Sequence, residues 1–258
     1  AEERRKSELM SVLAHEIRNP LASILGFSEI TDQERATLSD NIASMFTRIH
    51  TSATRLKRLI DNVLELARIE AGKVEWSMKP TSMYELLREI ESQYQSLAAK
   101  KGIALAVEAT DQDVVALANA DRMHQVVANL VGNALKFTPN GGRITLAVSR
   151  EEIRVSDEDL TASSESHLSA LPLTALGPDS RHFVRVDVRD TGPGIVEAQA
   201  AQLFEKFAQG KGDRESSGVG LGLFISREIV WRHGGSIWVT SEPDRGSCFS
   251  FRVPAATL

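Results

Sequence analysis

A single cysteine, Cys248, stands among 258 residues, which excludes an internal disulfide and any thiolate-rich zinc or iron–sulfur centre. A reducing compartment fits, and the cytoplasm is the expected location. No run approaches the ~18 apolar residues of a membrane span, and the opening Ala-Glu-Glu-Arg-Arg-Lys has no apolar core of a signal peptide. Membrane attachment is therefore expected only through regions outside this chain. Positive charge is not in excess: the net charge is −5, so no basic face is expected for nucleic-acid phosphates. No internal repeat is visible. The start lacks Met and is charged and helical in pattern, which reads as a fragment cut from a longer helix downstream of an input region.

What is present is ordinary globular material, 42% hydrophobic and 25% charged, enough for a sizeable core. The length exceeds the usual ~100–200 residues per domain and predicts two domains. Up to residue 71 the only glycine is Gly26 and the only proline Pro20. Apolar residues recur there in sevens, first Met10, Ile17 and Ile24 with Leu13 and Leu21 between, then Ile42, Ile49, Leu56 and Val63. Two long helices joined near Thr31–Ala36 form an antiparallel hairpin, and two helices alone cannot bury both stripes. Pairing with a second copy into a four-helix bundle is the natural completion, so a homodimer is predicted; an intramolecular bundle is the alternative.

Gly72 ends the second helix, placing a domain boundary between 1–72 and 73–258. Beyond it the pattern predicts helices at Ser82–Lys101, Asp121–Phe137 and Ser217–His233. Strands are expected at Ile103–Glu108, Arg143–Ser149 and Phe183–Arg189, with a terminal hairpin of Ser236–Ser241 and Ser247–Val253. This is an α/β layer structure. Residues 150–181, rich in Ser, Glu, Asp and Ala, read as a flexible surface insertion.

Four constellations carry chemistry. In His15-Glu16-Ile17-Arg18-Asn19-Pro20, His15 lies roughly 200° around the helix from both Leu13 and Ile17, so its imidazole points away from the apolar seam. Glu16 can accept a ring proton, Asn19 shares the face one turn on, and Pro20 removes a backbone bond at the reactive turn. This is the minimum apparatus for phosphorylating a histidine, but from these residues alone a solvated His–Glu surface pair is the favoured reading. Asn129, Asn133 and Lys136 share one face of the next helix and suit hydrated Mg²⁺ and phosphate oxygens, or simply solvent. Asp190-Thr191-Gly192-Pro193-Gly194 ends an alternating strand, where a fixed carboxylate can accept from an exocyclic amine and the glycines admit a planar base; an ordinary turn is the alternative. Gly218-Val219-Gly220-Leu221-Gly222-Leu223 precedes an apolar helix whose amides suit an anion. Leu203-Phe204-Glu205-Lys206-Phe207 is a weaker signal.

The order of these motifs resembles that of the catalytic core of sensor histidine kinases of bacterial two-component systems, over the whole chain except 150–181. The resemblance implies a dimerisation and histidine-phosphotransfer hairpin, a dimeric four-helix bundle, followed by a two-layer α/β sandwich of the gyrase, Hsp90 and histidine kinase ATPase type. It implies a protein-histidine kinase that autophosphorylates His15 from Mg²⁺ATP and passes the phosphoryl group to an aspartate of a response-regulator receiver domain. By the same resemblance Glu16 is the activating acid/base, Asn19 the residue linked to regulator dephosphorylation, and Asn133 the Mg²⁺ ligand. Asn129, Lys136, Phe137, Asp190, Gly192, Gly194, Ile195, Lys206, Gly218, Gly220, Leu221, Gly222 and Leu223 are the ATP-binding residues. Gln209 departs from the pattern, standing where many members carry an Arg near the γ-phosphate. Lys136 and Lys206 are the remaining cations for that role.

Overall fold

From Asp40 to Glu70 the chain has no Gly or Pro and forms one 31-residue helix, α1, roughly 46 Å long at 1.5 Å per residue. The structure is a computed structural model that describes residues 17, 21–22, 24–26, 40–109, 113–153, 181–206, 208 and 220–256. Helix α1 ends where Gly72 takes the left-handed conformation at φ 64° and donates to Ile69 O, while Lys73 donates to Arg68 O. Ala43, Ala53, Leu64 and Ile69 are buried. Ile42, Met45, Ile49 and Leu56, the stripe expected to seek a partner helix, are exposed. Of the preceding segment, Ile17, Leu21–Ala22 and Ile24–Gly26 are helical, with Leu21 buried. The remainder of the expected hairpin lies outside the described residues.

The chain divides into two compact units, Ala1–Glu75 with Gly212–Leu221, and Trp76–Lys211 with Gly222–Leu258. The second unit runs β1 (Lys79–Ser82), α2 (Met83–Lys100), β2 (Ala104–Ala109), β3 (Val115–Ala118), α3 (Ala120–Phe137), β4 (Arg143–Ile153), β5 (Arg181–Asp190), α4 (Glu197–Ala200), α5 (Gly222–Arg232), β6 (Ser236–Glu242) and β7 (Gly246–Pro254). Five strands form one mixed sheet in the order β2-β4-β5-β7-β6, with β2 parallel to β4 and the other neighbours antiparallel. Strands β1 and β3 pair separately.

Alternation decides which sheet face is core. Val184, Val186 and Val188 of β5 stand opposite Val253, Phe251 and Phe249 of β7, and all six are buried. Arg185, Asp187 and Arg189 fall on the other face. Helix α3 supplies Met123, Val126, Val127 and Leu130 to the core, and α5 supplies Ile225, Ile229 and Val230. These are helical spacings, so each helix spends one stripe on the sheet.

The structure departs from the sequence reading in four places. Helix α5 opens at Gly222 rather than Ser217, since Gly220 and Leu221 are not helical. Strands β4 and β5 continue through Ile153↔Arg181, so Arg150–Ile153 belong to a ladder and only residues 154–180 separate the strand ends. Arg150, Glu151 and Glu152 lack the apolar alternation that marks a half-buried strand. Strands β1 and β3 were not expected either: each has four residues, one containing Pro80 and the other rich in Ala. Helix α4 is a single turn too short to show periodicity.

Two capping arrangements fix α3, which carries Asn129, Asn133, Lys136 and Phe137. At its start Asn119 Oδ1 accepts from Arg122 N at 3.1 Å, and Asn119 N–H donates to His233 Nε2 at 3.1 Å. His233 is buried and donates from Nδ1 to Ile229 O at 2.7 Å, leaving Nε2 as the acceptor. Burial lowers its pKa, the Ile229 bond opposes this, and the Arg122 charge lowers it further. At the other end Lys101 Nζ donates to Leu135 O at 2.7 Å, placing a cation at the negative end of the helix.

Candidate functional site

Asp190 is the most constrained of the predicted residues. It ends β5 beside β7, opposite Ser247, and is 5% exposed. Its Oδ1 accepts from Gly192 N at 2.8 Å. Burial raises its pKa above the ordinary carboxylate value; backbone hydrogen bonds from Gly192 and Ser247 pull the other way. A carboxylate so placed accepts hydrogen bonds in a weakly polar surrounding, where a donor from a planar ligand gains more than it does in water.

The loop after Asp190 is tied down by backbone rather than by side-chain packing. Asp244 N donates to Pro193 O at 2.7 Å, and Ile195 N donates to Ser241 Oγ at 2.8 Å. Ser241 in turn donates to Gly246 O and lies 3.0 Å from Ser247 Oγ. Gly194 sits at φ 70°, and a Cβ there would lie 2.0 Å from Glu242 O, so no other residue fits. Gly192 approaches the Phe137 carbonyl, where an added Cβ would lie at 3.2 Å. That contact brings the end of α3 and the Asp190 loop together.

On α3, Asn129, Asn133 and Lys136 are half-buried, while Phe137 is 55% exposed with Lys136 Nζ 4.6 Å from its ring centre. Asn129 Nδ2 donates to Ser226 Oγ of α5 at 3.0 Å, so this asparagine is engaged across the helix pair. Leu223 lies in the first turn of α5 and is half-buried. Lys206 Nζ sits 5.1 Å from the Phe224 ring, whose other neighbour is the Arg227 guanidinium at 5.0 Å. Gly220 has φ 73° and Leu221 is buried. His15, Glu16, Asn19, Gly218, Phe207 and Gln209 lie outside the described residues.

The structure thus joins Asp190, Gly192 and Phe137 in one corner, and Asn129 with Gly222 in another. Ser226, Ser241, Ser247 and Arg227 were missed by sequence reasoning; serines have no periodicity, and only the fold reveals their partners. Among the described residues no three His, Cys, Asp or Glu side chains group as a metal cage. The donor set fits Mg²⁺ in a different manner, because that ion keeps several waters and takes substrate phosphate oxygens with few protein ligands. A half-buried carboxamide such as Asn133 suits that role. No described helix is long and apolar enough to cross a membrane.

Comparison with known proteins agrees with this arrangement. Residues 118–257 match the family of histidine kinase-, DNA gyrase B- and HSP90-like ATPases, and residues 5–72 match the His Kinase A (phospho-acceptor) domain. The chain is 31% identical to the sensor protein DivL of Caulobacter vibrioides over 98% of its own length and 28% of that protein. It is 30% identical to the signal transduction histidine-protein kinase BarA of Escherichia coli over 97% of this chain and 25% of that protein. The chain therefore spans about a quarter of these relatives. The crystal structure of full-length ShkA with AMPPNP aligns with a TM-score of 0.70 at 30% identity, covering 97% of this chain and 46% of that one. The nucleotide-free catalytic domain of the histidine kinase ThkA aligns at 0.51 and 27% identity, covering 70% of this chain and 98% of that one. A phospho-acceptor domain followed by an ATPase domain of this type makes the chain a member of the sensor histidine kinases of two-component systems.

Proposed function

We propose that the chain is the catalytic core of an ATP-dependent protein-histidine kinase, with a phosphotransfer domain over 1–72, which self-associates into a homodimer, and a nucleotide domain over 73–258. The observation that carries this reading is the buried Asp190 carboxylate, held by Gly192 N–H and set against the end of the helix bearing Asn129, Asn133, Lys136 and Phe137. Asp190 accepts the adenine amine, with Gly192, Gly194 and Ile195 along the base. Asn133 would hold Mg²⁺, which would supply charge neutralisation at the triphosphate. Lys136 and Lys206 supply further positive charge, and Gly222 and Leu223 open the helix that faces the phosphates.

In the transfer, Glu16 accepts a ring proton of His15, whose other nitrogen attacks the γ-phosphorus. The bond to the β,γ-bridging oxygen breaks and ADP departs. The phosphohistidine then donates to an aspartate of a receiver domain, regenerating His15; Asn19, one turn on, orients water for the reverse task of dephosphorylating that regulator. Little covalent chemistry is asked of the protein, so positioning and charge control the rate. The reaction belongs in the cytoplasm, with any membrane attachment outside this chain. Incubation with γ-labelled ATP and Mg²⁺ tests the reading: label that is lost in acid and kept in base supports it, and an acid-stable label or none refutes it.

A further inference from the structure

Helices α3 and α5 meet through a polar pair that the proposed reaction does not use directly. Asn129 Nδ2 donates to Ser226 Oγ at 3.0 Å, and Ser226 is only 2% exposed. One turn earlier on the same face of α5 is Gly222, where an added Cβ would stand 2.5 Å from Asn129 Oδ1. Both ends of the carboxamide are therefore located, the nitrogen on the Ser226 hydroxyl and the oxygen against a bare Cα. A buried hydroxyl costs free energy unless bonded, and an alanine at 226 fills a helix contact equally well. The polar pair is thus more than packing material.

Its place in the fold gives it a task. The first-turn amides of α5 are the helix-end donors that have no intrahelical carbonyl, and α3 carries Asn133 one turn after Asn129. The distance between these two groups has to match a Mg²⁺-triphosphate. We propose that Ser226 is a positioning residue of the nucleotide site, which locks the Asn129 carboxamide as a strut between α3 and the first turn of α5. This rests on the nucleotide reading above and adds a residue to it. Asn129 then acts through the strut, and Ser226 is as much part of nucleotide affinity as Asn129 is.

The test is a double-mutant cycle on the whole chain, read as affinity for a non-hydrolysable ATP analogue with Mg²⁺ by calorimetry. Ser226→Ala is expected to weaken binding about fivefold, the worth of one net hydrogen bond of roughly 1 kcal/mol. With Asn129→Ala already present, Ser226→Ala is expected to add nothing. In labelling assays its KM for ATP rises while kcat changes less. Ser226→Cys, close in volume but a weak acceptor, should behave like the alanine variant and serves if the latter does not fold. Wild-type affinity in both variants, or losses that add fully to those of Asn129→Ala, overturn the strut. A wild-type chain that binds no nucleotide overturns the nucleotide reading and the strut with it.

Discussion

The two units treat their apolar residues in opposite ways. In the α/β unit Phe251, Val186, Leu130 and Ile229 are closed off from solvent by sheet and helices of the same chain. In the helical unit Ile42, Met45, Ile49 and Leu56 recur in register along α1, and each keeps more than 40% of its surface exposed. Full burial of one such side chain is worth about 1.5–3 kcal/mol, so the stripe is a large unspent driving force. One unit is self-sufficient in its core. In the proposed homodimer the exposed stripe of the other meets a second helix pair, so its stability should depend on protein concentration and that of the α/β unit should not.

The largest effect separates the two units chemically. His15→Gln should abolish acid-labile label and leave affinity for the Mg²⁺ATP analogue within a few-fold, since Asp190, Asn129 and Asn133 belong to a different unit from the nucleophile. Wild-type labelling of this variant would end the assignment of His15. The next effect tests the cores. Phe251→Ala should cost about 3–5 kcal/mol in denaturant unfolding of the α/β unit. Ile49→Lys should leave that transition unchanged and lower the sedimentation-derived association constant. A dimer indifferent to Ile49→Lys would break the comparison.

Asp190→Asn is expected to remove about 1.5–3 kcal/mol of nucleotide affinity, roughly tenfold or more, and to relax discrimination against GTP, whose base offers a carbonyl in place of the amine. Calorimetry with both nucleotides measures it, and an unchanged ATP affinity removes Asp190 from the site. The smallest effect is in pH. Burial raises the Asp190 pKa, so this group's contribution to stability is fully present below its unfolded value and is lost as pH rises through the folded one. Binding has the reverse sign, because the adenine amine needs the ionised carboxylate. Affinity should therefore fall on acidification, starting above the ordinary carboxylate range, by at most about tenfold per pH unit. The slope should vanish in Asp190→Asn; a slope that persists there belongs to another group.

Much of this was legible in the sequence because two periodicities dominate it. The stripe of α1 predicts its helix, and the α3 face of Met123, Val126, Val127 and Leu130 and the Val184–Val186–Val188 alternation each predict an element and its buried side. Asp190 and the glycines were legible as an ordered set. The residues that hold them were not. Ser241 and Ser226 make their hydrogen bonds to partners 46 and 97 positions away, and nothing in a local window marks a serine as such a partner. The tip of β4 was hidden because Arg150, Glu151 and Glu152 are charged in succession, so no apolar alternation marks them as a strand.

Strand β7 follows every other described strand in sequence, yet it lies inside the sheet, between β5 and β6. A chain made from its N-terminus onward cannot join β6 to the rest until Gly246–Pro254 has left the ribosome. Through that interval β5 presents a bare edge and the apolar stripes of α3 and α5 lack part of their cover, the condition in which nascent chains associate wrongly. Asp190 acquires its neighbour Ser247 at the same step. On the proposed nucleotide site, capacity to hold nucleotide therefore appears only once β7 has been made and has entered the sheet, so that binding reports a closed sheet.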